Sequence, residues 1–136
     1  MADFVFRSKR KEYEKSFEKA LQTGLAAVGA EAETNAKREE IQVDTGRLRN
    51  SITWATKERG GQAYQYKDDN GEEYTDIVGS GAKEGEVWIG TNVYYAAFIE
   101  MGVRGRPGLY FLRKACQNYA ERYKEILESA LKALKD

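Results

Sequence analysis

Apolar residues recur every three or four positions in the first third of the chain, which predicts one amphipathic helix over about residues 9–41. The apolar positions are Tyr13, Phe17, Leu21, Leu25, Val28, Ala32 and Ala36. A helix of about thirty residues is roughly 45 Å long, which exceeds the width of a domain of this size. We therefore expect a bend near Gly24 and Gly29, or contact with a neighbouring subunit. The alanine-rich second half favours an intersubunit role.

The middle of the chain has the period and turn signals of antiparallel strands. After a capped turn over residues 43–52, an alternating strand is predicted from Ile52 to Thr56. Asn70-Gly71 separates two strand-like runs and indicates a hairpin, and residues 86–90 form a further strand. Together these segments predict an antiparallel sheet of three to four strands.

The last third predicts a short helix over about residues 93–101, which Gly102 terminates, and a long C-terminal helix over about 109–134. Pro107 keeps the intervening loop out of either helix. The apolar stripe of the last helix consists of Leu112, Cys116, Tyr119, Tyr123, Ile126, Leu127, Ala130 and Leu134. We expect a single α+β domain over residues 1–136, in which the hairpin at about 62–78 is an insertion.

Composition supports one folded domain with much polar surface, because 41% of the 136 residues are apolar and 32% are charged. The net charge is zero, but residues 60–90 hold two basic and seven acidic groups, and residues 91–136 hold eight basic and five acidic groups. Segments of opposite sign suit head-to-tail contact between identical subunits. Two separately solvated faces are equally consistent with this pattern.

The sequence lacks the equipment of common active sites. It contains no histidine, which excludes a Ser-His-Asp triad, a Cys-His pair and a histidine-containing zinc site. Cys116 lies on the predicted apolar stripe, so we expect a buried structural thiol. The glycines of residues 79–85 do not match a nucleotide-binding loop, and Tyr66 and Ile77 occupy calcium-loop positions that need carboxylates. We therefore predict a protein that is not an enzyme, with no catalytic residue, cofactor or metal.

Basic residues gather in two segments, and their role has two interpretations. The clusters are Arg47 with Arg49, and Arg104, Arg106, Arg113 and Lys114. Contact with protein is favoured, because the net charge is zero and no stacking platform is interleaved with the arginines. A small nucleic-acid-binding module that uses these arginines is the alternative, and a carboxylate-based hydrolase ranks below both. Glu100 is expected to form a structural ion pair with Arg104 or Arg106, within or between subunits.

Three segments in order carry a resemblance to a known family. They are Val43-Asp-Thr-Gly-Arg-Leu-Arg-Asn-Ser-Ile52, Ile89-Gly-Thr-Asn-Val-Tyr-Tyr-Ala-Ala-Phe-Ile-Glu-Met-Gly102 and Arg106-Pro-Gly-Leu-Tyr-Phe-Leu-Arg-Lys-Ala115. The chain resembles the gene-product-ten-like family of tailed bacteriophages and prophages, over about residues 10–130. The sequence departs from the family where Gly108-Leu109 separates Pro107 from the aromatic pair.

The resemblance implies a structural protein that completes or joins the tail at the head-tail junction. It implies a subunit of a ring that contacts tail-tube and head-connector proteins, and a monomer in isolation is compatible with assembly on a template. The candidate protein-interaction residues are Asp44, Arg47, Leu48, Arg49, Glu100, Arg104, Arg106 and Tyr110. The N-terminal segment lacks an apolar signal core, and no run is long enough to span a bilayer. We expect the protein in the host bacterial cytoplasm during assembly and then in the neck or tail of the virion.

Overall fold

The protein is a mixed structure of helices and short antiparallel strands, which confirms the α+β class. The computed structural model describes residues 2–39 and 46–133. The helices within these ranges are α1 (Ala2–Glu39), α2 (Gly46–Ser51), α3 (Ala96–Met101), α4 (Phe111–Gln117) and α5 (Ala120–Lys132). The strands are β1 (Thr53–Ala55), β2 (Tyr66–Lys67), β3 (Glu73–Tyr74), β4 (Trp88–Gly90), β5 (Gly102–Val103) and β6 (Arg106–Pro107).

The first helix is continuous and packs within its own subunit. α1 comprises 38 residues, and its glycines do not interrupt it. Its second half packs against α5, α4 and β1, and this buries Leu25, Val28, Ala32 and Ala36. Small side chains in the alanine-rich half allow α1 to approach its own neighbours closely, while Ala27 and Ala30 are exposed; the intersubunit role expected for this half stays a prediction.

The strands form separate two-stranded ribbons in the described ranges, whereas the sequence suggested one sheet of three to four strands. β1 pairs with β4, β2 with β3, and β5 with β6, all antiparallel. The β2–β3 ribbon joins the rest of the fold through a side chain. The Tyr66 hydroxyl donates to the Asn92 carbonyl at 3.3 Å and accepts from the Tyr94 amide at 2.9 Å. These two side-chain bonds connect the β2–β3 ribbon to the segment before α3, where the predicted single sheet would have had backbone hydrogen bonds between strands.

The hairpin at residues 62–78 is packed into the domain through its aromatic residues. Tyr66 belongs to the buried core cluster. Its ring stacks on Tyr74 with centroids 4.8 Å apart, and Tyr74 stacks on Tyr94 at 5.5 Å. Tyr64 and Tyr95 extend the series at its two ends. We call these five residues the tyrosine stack, and it fastens the hairpin to the segment that leads into α3.

The C-terminal helical region is divided, and its first buried positions differ from those expected. α4 ends at Gln117, and α5 begins after Tyr119, whose φ and ψ are −117° and 17°. Phe111 and Ala115 are completely buried, whereas Cys116 is exposed. The prediction of a buried Cys116 was therefore wrong, because Phe111 enters the core and sets the phase of α4. Partial desolvation, followed by the negative charge of Glu100, raises the pKa of the Cys116 thiol.

A buried polar contact joins the break between α4 and α5 to α1. The Tyr123 hydroxyl donates to the Ala115 carbonyl near the end of α4. The same oxygen accepts from the Asn35 side-chain amide at 3.0 Å, and Asn35 is buried. Desolvation raises the pKa of Tyr123. The neutral phenol therefore satisfies two polar groups where the helical ladder is interrupted.

Candidate protein-interaction surface

The predicted residues around α2 serve mainly the subunit itself. Leu48 is completely buried in the core cluster, so its place corrects the expectation of an interaction role: it has no surface to offer a partner. Arg47 lies over the Tyr66 ring at 5.2 Å and donates to the Lys67 carbonyl at 3.1 Å, which ties α2 to the hairpin. Arg49 is exposed. Asp44 lies outside the described residues.

Glu100 caps a helix, and among the described residues it forms no ion pair with Arg104 or Arg106. Its two carboxylate oxygens accept hydrogen bonds from the backbone amides of Leu112 at 2.9 Å and Arg113 at 3.0 Å. These amides belong to the first turn of α4, whose N–H groups have no partner within the helix. The residue before α4 is Tyr110, which makes no side-chain capping bond. Glu100 supplies the cap from α3, which corrects the expectation of an ion pair with Arg104 or Arg106 within the subunit; the ion pair between subunits stays a prediction.

Backbone hydrogen bonds also run from the root of α4 to the end of α3. The amides of Leu109 and Tyr110 donate to the carbonyls of Ile99 and Glu100 at 2.8 and 2.9 Å. The last carbonyls of α3 therefore accept hydrogen bonds from the residues just before α4, and the first amides of α4 donate to the Glu100 carboxylate of α3. The two helices satisfy each other's terminal groups across the loop that joins them.

This loop folds into a short ribbon, which we call the arginine hairpin (residues 102–107). Gly102 pairs with Pro107, and Val103 pairs with Arg106. A Cβ on Gly102 would lie 2.5 Å from the Gly108 amide nitrogen, so only glycine permits the two backbones to approach so closely. Arg104 and Arg106 are exposed, and within the described part of the chain neither forms an ion pair.

Three large apolar residues are exposed beside the arginine hairpin. Tyr94, Phe98 and Met101 are 56%, 59% and 66% exposed. Tyr94 precedes α3, whereas Phe98 and Met101 lie three residues apart on one side of the helix. We call this side the apolar α3 face. Val103 and Tyr110 add exposed area, and the Arg113 guanidinium lies 5.5 Å from the Tyr110 ring centroid. Large exposed apolar side chains gathered in one part of the chain are a feature of contact sites when they form one patch.

Sequence reasoning did not select the apolar α3 face, although its signal was present. Phe98 and Met101 recur at helical spacing, but Glu100 was the candidate residue chosen from this helix. Ala96 is the buried residue of α3. Ile99 also packs against the core. The larger side chains consequently point outward.

The described residues contain no convergent group of three potential metal ligands. Asp68, at the tip of the β2–β3 hairpin, uses its carboxylate within the turn. It accepts from the Asn70 and Glu72 amides, both at 2.9 Å, and from the Tyr74 hydroxyl at 3.0 Å. The Glu72 amide is the first cause that lowers the pKa of Asp68, and the bond to Asp68 raises the pKa of Tyr74 to about 12. Both pKa shifts are explained by hydrogen bonds within the hairpin turn itself.

Among the described helices, none combines the length and hydropathy needed to cross a membrane. The family model described as "HK97-gp10_like: Bacteriophage HK97-gp10, putative tail-component" matches residues 6–102, which is more than half of the chain. No curated protein and no solved structure matches the sequence. The match covers α1 through the beginning of the arginine hairpin.

Proposed function

Because the chain belongs to the HK97-gp10-like family of phage tail components, we propose that this structural protein completes or joins the tail at the head-tail junction as one subunit of a ring. Its partners in this proposal are tail-tube and head-connector proteins. It acts without catalysis, in the host cytoplasm during assembly and then in the neck or tail of the virion.

The observation that carries the proposal is the apolar α3 face together with the adjacent arginine hairpin. Phe98 and Met101 each expose well over half of their surface. Full burial of a fully exposed side chain of this size is worth about 1.5–3 kcal/mol, so covering the exposed part of each is worth about 1–2 kcal/mol. The hydrogen bonds between α3 and α4 hold this surface in place. Protein–protein interfaces commonly have an apolar centre, a polar rim and more arginine than the rest of the surface. The apolar α3 face bordered by Arg104 and Arg106 has this composition.

Complementation of a phage lacking this gene tests the proposal. We expect Phe98→Ser with Met101→Ser to leave the circular dichroism spectrum unchanged, because both side chains are exposed, and to prevent the joining of heads to tails in electron micrographs. Ile77→Ser is the matched control, since Ile77 is 61% exposed on a different segment. Full infectivity of the α3 variant, with normal particles, would contradict the proposed docking surface.

The nucleic-acid-binding alternative has less support from the geometry. Arg47 is engaged with Tyr66 and with the Lys67 carbonyl. The tyrosines stack on one another, so their rings satisfy each other rather than forming an open platform for bases. Binding to DNA that is undetectable at low salt would eliminate this alternative.

A further inference from the structure

A surface groove lies between the outer part of α1 and the loop before β4. Its cavity volume is about 350 Å³, and its lining consists of Glu14, Phe17, Glu18, Leu21 and Glu84. We call it the glutamate groove. Phe17 is 40% exposed, so the floor offers apolar contact. Glu18 and Glu84 form no hydrogen bond or ion pair with any described residue.

The arginine hairpin has the complementary composition. Val103 and Arg106 are cross-strand partners, so their side chains share one side of the ribbon. Val103 is 46% exposed, and Arg104 occupies the turn beside Gly105, whose φ is 85°. Val103 and Arg106 therefore project together, and Arg104 is exposed at the turn beside them. The groove offers an apolar floor with carboxylates at its edge, which matches this arrangement in both polarity and charge.

The arginines of the hairpin do not pair with the groove carboxylates of the same subunit within the described residues. Glu18 and Ala36 are both in the continuous helix α1, and 18 residues at 1.5 Å each separate them by about 27 Å. Ala36 lies in the core cluster with Ala96 and Phe111, the first residues of the helices that flank the hairpin. The six residues of α3 add about 9 Å, and three extended hairpin residues add about 10 Å. This path is shorter than the separation along α1, and among the described residues neither Arg104 nor Arg106 forms an ion pair with Glu18 or Glu84.

We propose that the arginine hairpin of one copy docks into the glutamate groove of a second copy. Val103 contacts Phe17 and Leu21, while Arg104 and Arg106 pair with Glu18 and Glu84. The contact joins two different surfaces, and repetition of such a contact closes a ring when the rotation between subunits permits it. The inference deepens the proposed function, on which its biological setting rests, by naming the surfaces that join neighbouring subunits.

A charge-swap experiment tests the contact in solution with the full chain. One variant carries Arg104→Glu and Arg106→Glu, and the other carries Glu18→Arg and Glu84→Arg. Each alone is expected to weaken self-association at least about tenfold, because like charges meet in the contact. An equimolar mixture restores association, since each hairpin again finds a groove of opposite charge. Sedimentation velocity measures all three samples, with circular dichroism to verify folding.

A control variant and a cross-linking assay complete the test. Lys124→Glu with Lys132→Glu changes the net charge as much as the hairpin variant, but on α5, and it is expected to associate like the wild type. In a Cys116→Ser background, Arg104→Cys mixed with Glu84→Cys is expected to form a disulfide-linked dimer. Lys124→Cys mixed with Glu84→Cys is the reference pair, and it is expected to remain largely unlinked.

Two results would overturn the inference. The first is a charge-swapped mixture that associates no better than its components, with no excess of cross-linking over the reference pair at millimolar protein. The second is a groove that cross-links to another virion protein in place of this chain. If the wild type restores infectivity to the phage lacking this gene while either result is found, the proposed function stands and only the self-docking fails. If the wild type does not restore infectivity while the charge-swapped mixture associates, the proposed function fails and the self-docking stands.

Discussion

Replacing Gly29 by alanine tests how α1 packs on the β1–β4 ribbon. The Trp54 indole lies against α1 at this glycine, and the Arg59 guanidinium covers the ring at 3.9 Å from its centroid. A Cβ on Gly29 would lie 2.5 Å from Trp54 Cε3 and 2.6 Å from Cδ2. Carbon atoms in ordinary contact are about 3.5–4.0 Å apart, so the ring or the helix must move by about 1 Å.

The expected loss of stability combines two opposing effects. Overpacking of a well-filled site costs about 1–3 kcal/mol, and the upper part of this range applies because several atoms of a rigid ring are displaced. Alanine in a helix interior returns up to about 1 kcal/mol relative to glycine. We therefore expect Gly29→Ala to lower the free energy of unfolding by about 1–2 kcal/mol.

Urea unfolding followed by tryptophan fluorescence measures this difference, in a Trp88→Phe background so that Trp54 alone reports. Gly24→Ala is the control. A Cβ there would lie 3.1 Å from both Ala130 Cβ and Leu127 Cδ2, and the leucine can adjust. We expect the control to stay within about 0.5 kcal/mol of the parent or to be more stable. If Gly29→Ala is as stable as the parent, the close packing of Trp54 on α1 is refuted.

Three further predictions concern polar contacts. Glu100→Gln should destabilise the protein by about 1–2 kcal/mol, because a charged helix cap is lost; faster amide exchange at the start of α4 would report it, and unchanged exchange would contradict it. Tyr74→Phe should remove the tyrosine ionisation at about pH 12 from the absorbance titration. Because that pKa is raised from 10.0, the stabilising bond to Asp68 is complete below pH 10 and is lost as the pH rises through 12; a wild-type titration without the late phase would refute this. Tyr123→Phe should cost about 1–3 kcal/mol in urea unfolding, because it leaves Asn35 buried without its acceptor; a neutral result would exclude that contact.

Local signals in the sequence predicted the elements well. The three- and four-residue period identified α1, because one side of a helix must be apolar to pack on the domain. Asn70-Gly71 identified the β2–β3 turn, in which Gly71 has a φ of 82°. Gly102 was expected to terminate the short helix, and it does so with a φ of 87°. Each prediction depends only on neighbouring residues.

Contacts between distant residues could not be predicted in this way. Glu100 meets its amide partners twelve and thirteen residues later, and nothing in its local sequence distinguishes a remote cap from an ion pair. The phase of α4 depends on the insertion of Phe111 into a core built by α1 and α2. The burial of Leu48 has the same origin. The candidate site changed accordingly: Arg104, Arg106 and Tyr110 remain at the surface, and the α3 residues beside them were found only in three dimensions.

The reciprocal hydrogen bonding between α3 and α4 has a consequence for the thermodynamics of assembly. A loop that becomes ordered on binding loses conformational entropy, and this loss weakens the affinity. The arginine hairpin is already folded in the single subunit, so it does not incur this cost. Only the rotamers of its exposed side chains remain to be fixed, at about 0.5–1.5 kcal/mol each. In the proposed ring, a preorganised hairpin lets a small contact be sufficient, because many copies act together. The small area of that contact keeps each single encounter reversible.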